Sequence, residues 1–288
     1  CAAAYIVDTG QLRGRGGRAF VHNEEVTPPT APHADSPGKR AWDRLWISPA
    51  PNPIRLMKKI FLEELPSFFF KGTLGSKAFD PESCIETNTP VDCLKISITS
   101  APPRGRKHKF QIRLGSNLQS LRCSMLLAST AIDLGDNLSG NLRISCWDDS
   151  SLRTGDCTSM SQLRVVVDSL CSCDIGADCL ISDGVLLQVG NQHAVFSVET
   201  GNVINNDKPK LSINDHVWLG RNSTIIAASE CSIGSGSIVG LGALVTKDMP
   251  PTSLIVGAPA YVLRQNVSWH RSRFPTSLQI DEIRKRYC

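Results

Sequence analysis

The sequence predicts a mainly β protein built as a parallel β-helix, on three observations. Within residues 211–263, aliphatic side chains recur at Ile213, Leu219 and Ile225, then at Ile233, Val239 and Val245. Small or short residues stand four places on from these, at Val217, Ser223, Ser229, Ser237 and Ala243. Gly, Asn and Asp fall between the two sets. A helix needs apolar spacings of three and four, and a simple strand needs two. A period of six instead suits a prism in which every face adds one short strand and one tight turn. The aliphatics then point along the core, the small residues stack beneath the corners, and Gly, Asn or Asp takes the positive φ of the turn.

Taken in order, residues 1–59 mix RGRGGR, KR and KK with Pro-rich stretches and read as a disordered or loosely extended tail. Residues 60–90 form a capping segment, since a solenoid must cover the open end of its apolar core. RLMKKIFLEELPSFFFK at 55–71 is expected to supply a short amphipathic helix there, stopping near Pro66. One solenoid then runs from 91 to 263. Its early part alternates apolar and polar residues between Gly, Asn and Asp turns, which indicates strands. LGDNLSG at 134–140 resembles the later hexads, and the early coils are expected to have slipped registers. Regular hexads occupy 175–187 and 211–250. Between them QVGNQHAVFSVETGNVINNDKPK, at 188–210, cannot continue the beat and reads as a protruding loop, a common seat of function. The step of eight from Ile225 to Ile233 reads as a two-residue bulge absorbed at a corner. The extension 264–288 contains SLQIDEIRKRY, a short helical pattern with Leu278, Ile280 and Ile283 roughly on one side.

Composition narrows the functional classes. The chain has 288 residues, 41% hydrophobic and 20% charged, enough for a real core. A net charge of +4 is too modest to imply a nucleic-acid partner. No apolar run reaches the roughly eighteen residues that a membrane span needs. The opening CAAAYIVD begins with Cys and lacks a signal-peptide layout, so the chain reads as a fragment. Eleven cysteines, odd in number and irregular in spacing, suggest free thiols in a reducing, cytoplasmic compartment. Cys179 and Cys231 read as small core or corner residues.

Of six histidines, only His193 falls inside the protruding loop. A neutral imidazole there can take a proton from a hydroxyl or amine. Asp183, Glu199 or a backbone carbonyl would orient it. His216, in the turn NDHVW, reads as a surface residue, and His108 as part of a basic loop. The histidines do not have the spacing of a zinc site, so no metal is expected.

The run HAVFSVETGNVINNDKPKLSINDHVWLG, the hexads after it, and VTKDMPPTSLIVGAPAYVLR resemble the hexapeptide-repeat acyltransferases with a left-handed β-helix. The likeness is greatest to the maltose and galactoside O-acetyltransferase branch and to capsule or exopolysaccharide acetyltransferases. It covers about 175–266. It implies a homotrimer with active sites between subunits, acetyl-CoA as donor, a sugar or glycan acceptor, and direct transfer. It also makes His193 the general base and the backbone N–H of Arg221 an oxyanion donor. Trp218 and Gly220 would line the groove, and main-chain groups of Leu241, Gly242 and Thr246 would hold the pantetheine arm. Lys247 and Arg264 would face the coenzyme's phosphates. The alternatives are N-acylation of an amino sugar and a catalytically degenerate solenoid used as a scaffold.

Overall fold

The computed structural model describes residues 57–72, 75–101 and 107–287. Residues 1–56 lie outside them, and so does nearly all of the predicted tail. Three ladders of parallel strands make the faces of a β-helix. Face 1 stacks Cys84–Thr87, Phe110–Leu114, Thr130–Leu134, Ser150–Thr154, Ser172–Ile175, Lys210–Ile213 and Cys231–Ile233. Face 2 stacks Leu180–Ile181, Trp218–Leu219, Ile238–Val239 and Ser253–Val256, and face 3 stacks Val185–Val189, Thr224–Ala227 and Leu244–Val245. In the earlier coils, long strands such as Leu121–Leu127 and Ser139–Cys146 run across both faces. The division occurs at Ser159–Val167. Its Ser159 and Met160 pair with Leu180 and Ile181, its Leu163–Val167 part pairs with Val185–Val189, and the register shifts between Met160 and Leu163.

The expected slip of the early coils is confined to the long strands, at the shift between Met160 and Leu163, and face 1 shows none. Phe110 pairs with Thr130 and Thr130 with Ser150, so these coils advance by twenty residues on face 1 with the ladder intact. The six-residue beat is obscured there because the long strands hold more inward residues per face. Nor is there a bulge at 225–233. Thr224–Ala227 and Cys231–Ile233 both keep unshifted registers with the coil before. Cys231, fully buried six residues after Ile225, takes the inward place, and Ile233 is a second inward residue on the same strand.

Six successive coils also turn one corner through a left-handed residue. Asn117, Asn137, Cys157, Asp178, His216 and Gly236 form that column, with φ from 55° at Asp178 to 72° at Gly236. Two residues before each of the first three is a glycine. A Cβ at Gly115 would lie 2.4 Å from the backbone of Gly135, so side chains are excluded by the close approach of the next coil.

The start of the solenoid departs from expectation. Residues 57–71 form a strand, Lys58–Phe61, two 3-10 turns and the short strand Phe70–Lys71, not an amphipathic helix. Lys58–Phe61 pairs antiparallel with Cys84–Thr87, which satisfies the first edge of face 1, while Ile60, Leu65 and Phe69 are buried in the core. The strand supplies the edge hydrogen bonds and buries Ile60, and the 3-10 turns after it bring Leu65 and Phe69 into the core. At the other end Tyr261–Gln265 folds back antiparallel on Ser253–Val256, and the helix Ser277–Tyr287 follows. Leu278 and Ile280 on that helix are exposed. Among the described residues no helix is long and apolar enough to cross a membrane.

Candidate functional site

The loop at 188–210 leaves face 3 after Val189 and returns to face 1 at Lys210. It is a small hairpin. Phe196 bridges Val203, the Ser197 N–H donates to the Asn202 carbonyl at 2.9 Å, and the Ile204 N–H donates to the Val195 carbonyl at 2.8 Å. Asn205 ties its base, donating from Nδ2 to the His193 carbonyl at 2.8 Å and accepting at Oδ1 from the Val195 N–H at 2.8 Å. The backbone of His193 is thus fixed while its side chain stays exposed. Neither Asp183 nor Glu199 bonds its imidazole: Asp183 lies at a different corner, where its carbonyl accepts from the Asn222 N–H, and Glu199 is at the hairpin tip.

The other predicted residues fall in two groups. Thr246 and Lys247 turn the same corner as the hairpin, two coils further on, and both are exposed. Gly220, Arg221, Leu241 and Gly242 stack at the corner between faces 2 and 3. There the Gly220 N–H is used by the Val239 carbonyl at 2.7 Å, and the Arg221 carbonyl accepts from Gly242 at 2.9 Å. The Arg221 N–H has no acceptor among the described residues. Arg264 lies on the antiparallel strand that closes face 2, opposite Leu254. Trp218 points outward from face 2, against Leu180, Ile238, Leu254 and Trp269, and its Nε1 donates to Ser182 at 3.3 Å. Within one chain no hydrogen bond, ion pair or ring contact joins His193 to the Trp218–Arg221 corner.

A second cluster was not anticipated, and it overturns the surface reading of His216. That residue is 1% exposed. Its Nδ1 meets Asp178 Oδ2 at 2.8 Å and its Nε2 meets the Trp269 carbonyl at 2.9 Å. The ring is sandwiched between Trp269 at 4.3 Å and Tyr287 at 4.5 Å. Arg271 donates to Asp178 Oδ1 from Nη2 at 3.2 Å and to Ser159 from Nη1 at 2.6 Å, and the Tyr287 hydroxyl donates to Asp178 Oδ2 at 3.3 Å. Burial pushes the Asp178 carboxyl up, but the His216 bond and the Arg271 charge outweigh it and hold it below its ordinary value. Burial also raises the Tyr287 hydroxyl and pushes the Cys179 thiol up to about 12. The sequence did hold one signal. Asp178 and His216 occupy the same left-handed turn position in successive coils, so their side chains stack. His108 is likewise buried, 3.5 Å from Asp148, not in an open loop.

No protein-family model matches the chain. It is 37% identical over 107 residues to a polysialic acid O-acetyltransferase of Escherichia coli O1:K1 / APEC, covering 37% of this chain and 34% of that protein. It is 28% identical over 173 residues to a polysialic acid O-acetyltransferase of Neisseria meningitidis, covering 59% of this chain and 80% of the other. Among solved structures, the polySia specific acetyltransferase NeuO superposes with a TM-score of 0.55 at 25% identity, over 66% of this chain and 88% of that one. The chain thus spans about a third of the length of the Escherichia coli relative. The fold and these likenesses point to one class, the hexapeptide-repeat acyltransferases. The chain resembles that class in sequence and in fold, and its β-helix is left-handed.

Proposed function

We propose that this protein transfers an acetyl group from acetyl-CoA to a hydroxyl of a sugar or polysaccharide, with His193 as general base. A single rigidly based, histidine-bearing hairpin on a β-helix shared with O-acetyltransferases carries this assignment. The imidazole of His193 removes the hydroxyl proton as the acceptor oxygen attacks the thioester carbonyl. When the C–S bond breaks, the imidazolium returns that proton to the departing sulfur, and no bond to the protein forms. The unused Arg221 N–H suits the oxyanion, because a fixed donor aimed where charge develops costs no reorganisation. His193 and Arg221 occupy different corners of one chain, so the active site is completed by a neighbouring copy, as in a homotrimer.

The donor would run along the corner at Leu241 and Gly242 toward Thr246. A Cβ at Gly242 would meet nothing within 4 Å, which leaves room for an extended arm there. Lys247 and Arg264 would meet the phosphates from neighbouring subunits. The buried free thiols, such as Cys173 and Cys179, fit a reducing cytoplasm. The test is thiol release from acetyl-CoA with a panel of glycans. His193→Ala should lower kcat by about 10²–10⁴-fold while the β-helix melts as before. Full activity in that variant, or no transfer by the parent to any glycan, would overturn the proposal.

A further inference from the structure

The two broad surfaces of the early coils treat charge in opposite ways. On face 1 the outward charges are of both signs and several pair: Arg113 with Asp133, Lys109 with Glu82, and Lys210 with Asp174 at 2.8 Å. On the surface made by the long strands the outward charges are all positive. Lys95 stands directly opposite Arg122, and Arg143 directly opposite Arg164, on neighbouring rungs. Like charges so placed destabilise a sheet unless an anion lies across them. None of these four pairs with a carboxylate among the described residues.

A groove of about 730 Å³ opens along this surface. Lys71, Lys95, Arg122 and Arg143 line it, with serine, asparagine and glutamine side chains between them, and no acidic residue does. Phe68, 55% exposed, stands at its edge and offers an apolar face. From Lys95 to Arg164 the cations span three rungs, roughly 14 Å at the usual strand spacing. One rung beyond Arg164 is Leu186, on the strand Val185–Val189 from whose end the His193 hairpin departs.

We propose that this groove is an acceptor-holding site for an acidic polysaccharide. Its sugar carboxylates lie along Lys71, Lys95, Arg122, Arg143 and Arg164, a ring face covers Phe68, and the chain continues toward the hairpin. Guanidinium and ammonium groups suit carboxylates spaced along a polymer, while the hydroxyl and amide side chains between them suit sugar hydroxyls. The site rests on the glycan O-acetylation proposed above and narrows its acceptor to an anionic polymer.

The experiment uses polysialic acid, its monomer and length-matched dextran as probes, with binding followed by affinity electrophoresis and transfer by thiol release. The parent should bind polysialic acid, release it as salt screens the charges, and ignore dextran. The triple variant Lys95→Gln/Arg122→Gln/Arg143→Gln should raise the apparent KM for polysialic acid about tenfold, the loss of three exposed charge contacts, with a much smaller change in kcat. Arg143→Lys should retain binding. Equal binding by parent and triple variant overturns the groove, and so does a single-stranded oligonucleotide held more tightly than the glycan. Binding of polysialic acid without any acetyl transfer would keep the groove and sink the proposed reaction. Transfer to dextran with no binding of polysialic acid would do the reverse.

Discussion

Asp178→Asn tests whether the cluster around His216 is what holds the C-terminal segment on the β-helix. The substitution keeps shape and volume and removes one charge. In the folded protein Asp178, 8% exposed, accepts from His216 Nδ1 at 2.8 Å, from Arg271 Nη2 at 3.2 Å and Nε at 3.4 Å, and from the Tyr287 hydroxyl at 3.3 Å. An asparagine oxygen can serve only one side, and its NH₂ would face donors on the other. Removing one partner of a buried pair costs about 3–5 kcal/mol. Arg271 keeps the Cys157 and Cys179 carbonyls and the Ser159 hydroxyl, which places this change at about 3 kcal/mol, the lower end. The cost falls first on the segment through Trp269, Arg271 and Tyr287, because the coils beneath have their own ladders. Hydrogen exchange at Val267 and Trp269 should therefore quicken by roughly 100-fold. If docking and the coils melt together, Tm should fall by about 6–12 °C. Unchanged exchange in the segment together with a Tm within about 2 °C of the parent would refute the argument.

The same residue sets an acid limit. Its folded carboxyl lies below the ordinary 3.8, so between the two values the unfolded chain binds the extra proton. Stability from Asp178 is complete above about pH 4 and is lost as pH falls through the folded value, an acid limb that Asp178→Asn should flatten in pH-dependent melts. Two glycines with positive φ separate close packing from backbone strain. A Cβ at Gly140 would lie 1.5 Å from the Met160 carbonyl oxygen of the next coil, whereas at Gly201, on the hairpin tip, it would meet nothing within 4 Å. Gly140→Ala should cost more than about 4 kcal/mol in urea unfolding, and Gly201→Ala only about 1–2 kcal/mol. Similar costs at both positions would remove packing from the explanation.

The core of the later coils was legible because Leu219, Val239 and Val245 are each the one inward aliphatic of a two-residue strand, which prints the period directly. The early coils hid theirs because Leu121–Leu127 and Ser139–Cys146 carry several inward residues each, so alternation of two overlays the longer repeat. Ile233 misled for the same reason: it is the second inward residue of its strand, after Cys231. The hairpin was visible as an interruption, and His193 with it. His216 was hidden because its burial comes from Trp269 and Tyr287, far along the chain, and a turn residue carries no local sign that a distant segment will cover it. The basic groove was equally obscure, since Lys95, Arg122, Arg143 and Arg164 become neighbours only once the registers of the long strands are known.

That coil length makes the molecule count in whole turns. Phe110, Thr130 and Ser150 stand one above another, and so do the glycines at 115, 135 and 155. Losing a single residue from such a coil rotates everything after it off its column. Losing twenty, from Thr130 through Asp149, would rejoin matching ends and leave every rung above and below with a partner. Length in this protein is therefore a quantity that can change in steps without touching the shape of its cross-section. That step would also remove Arg143, so the charged strip itself would shorten by one rung.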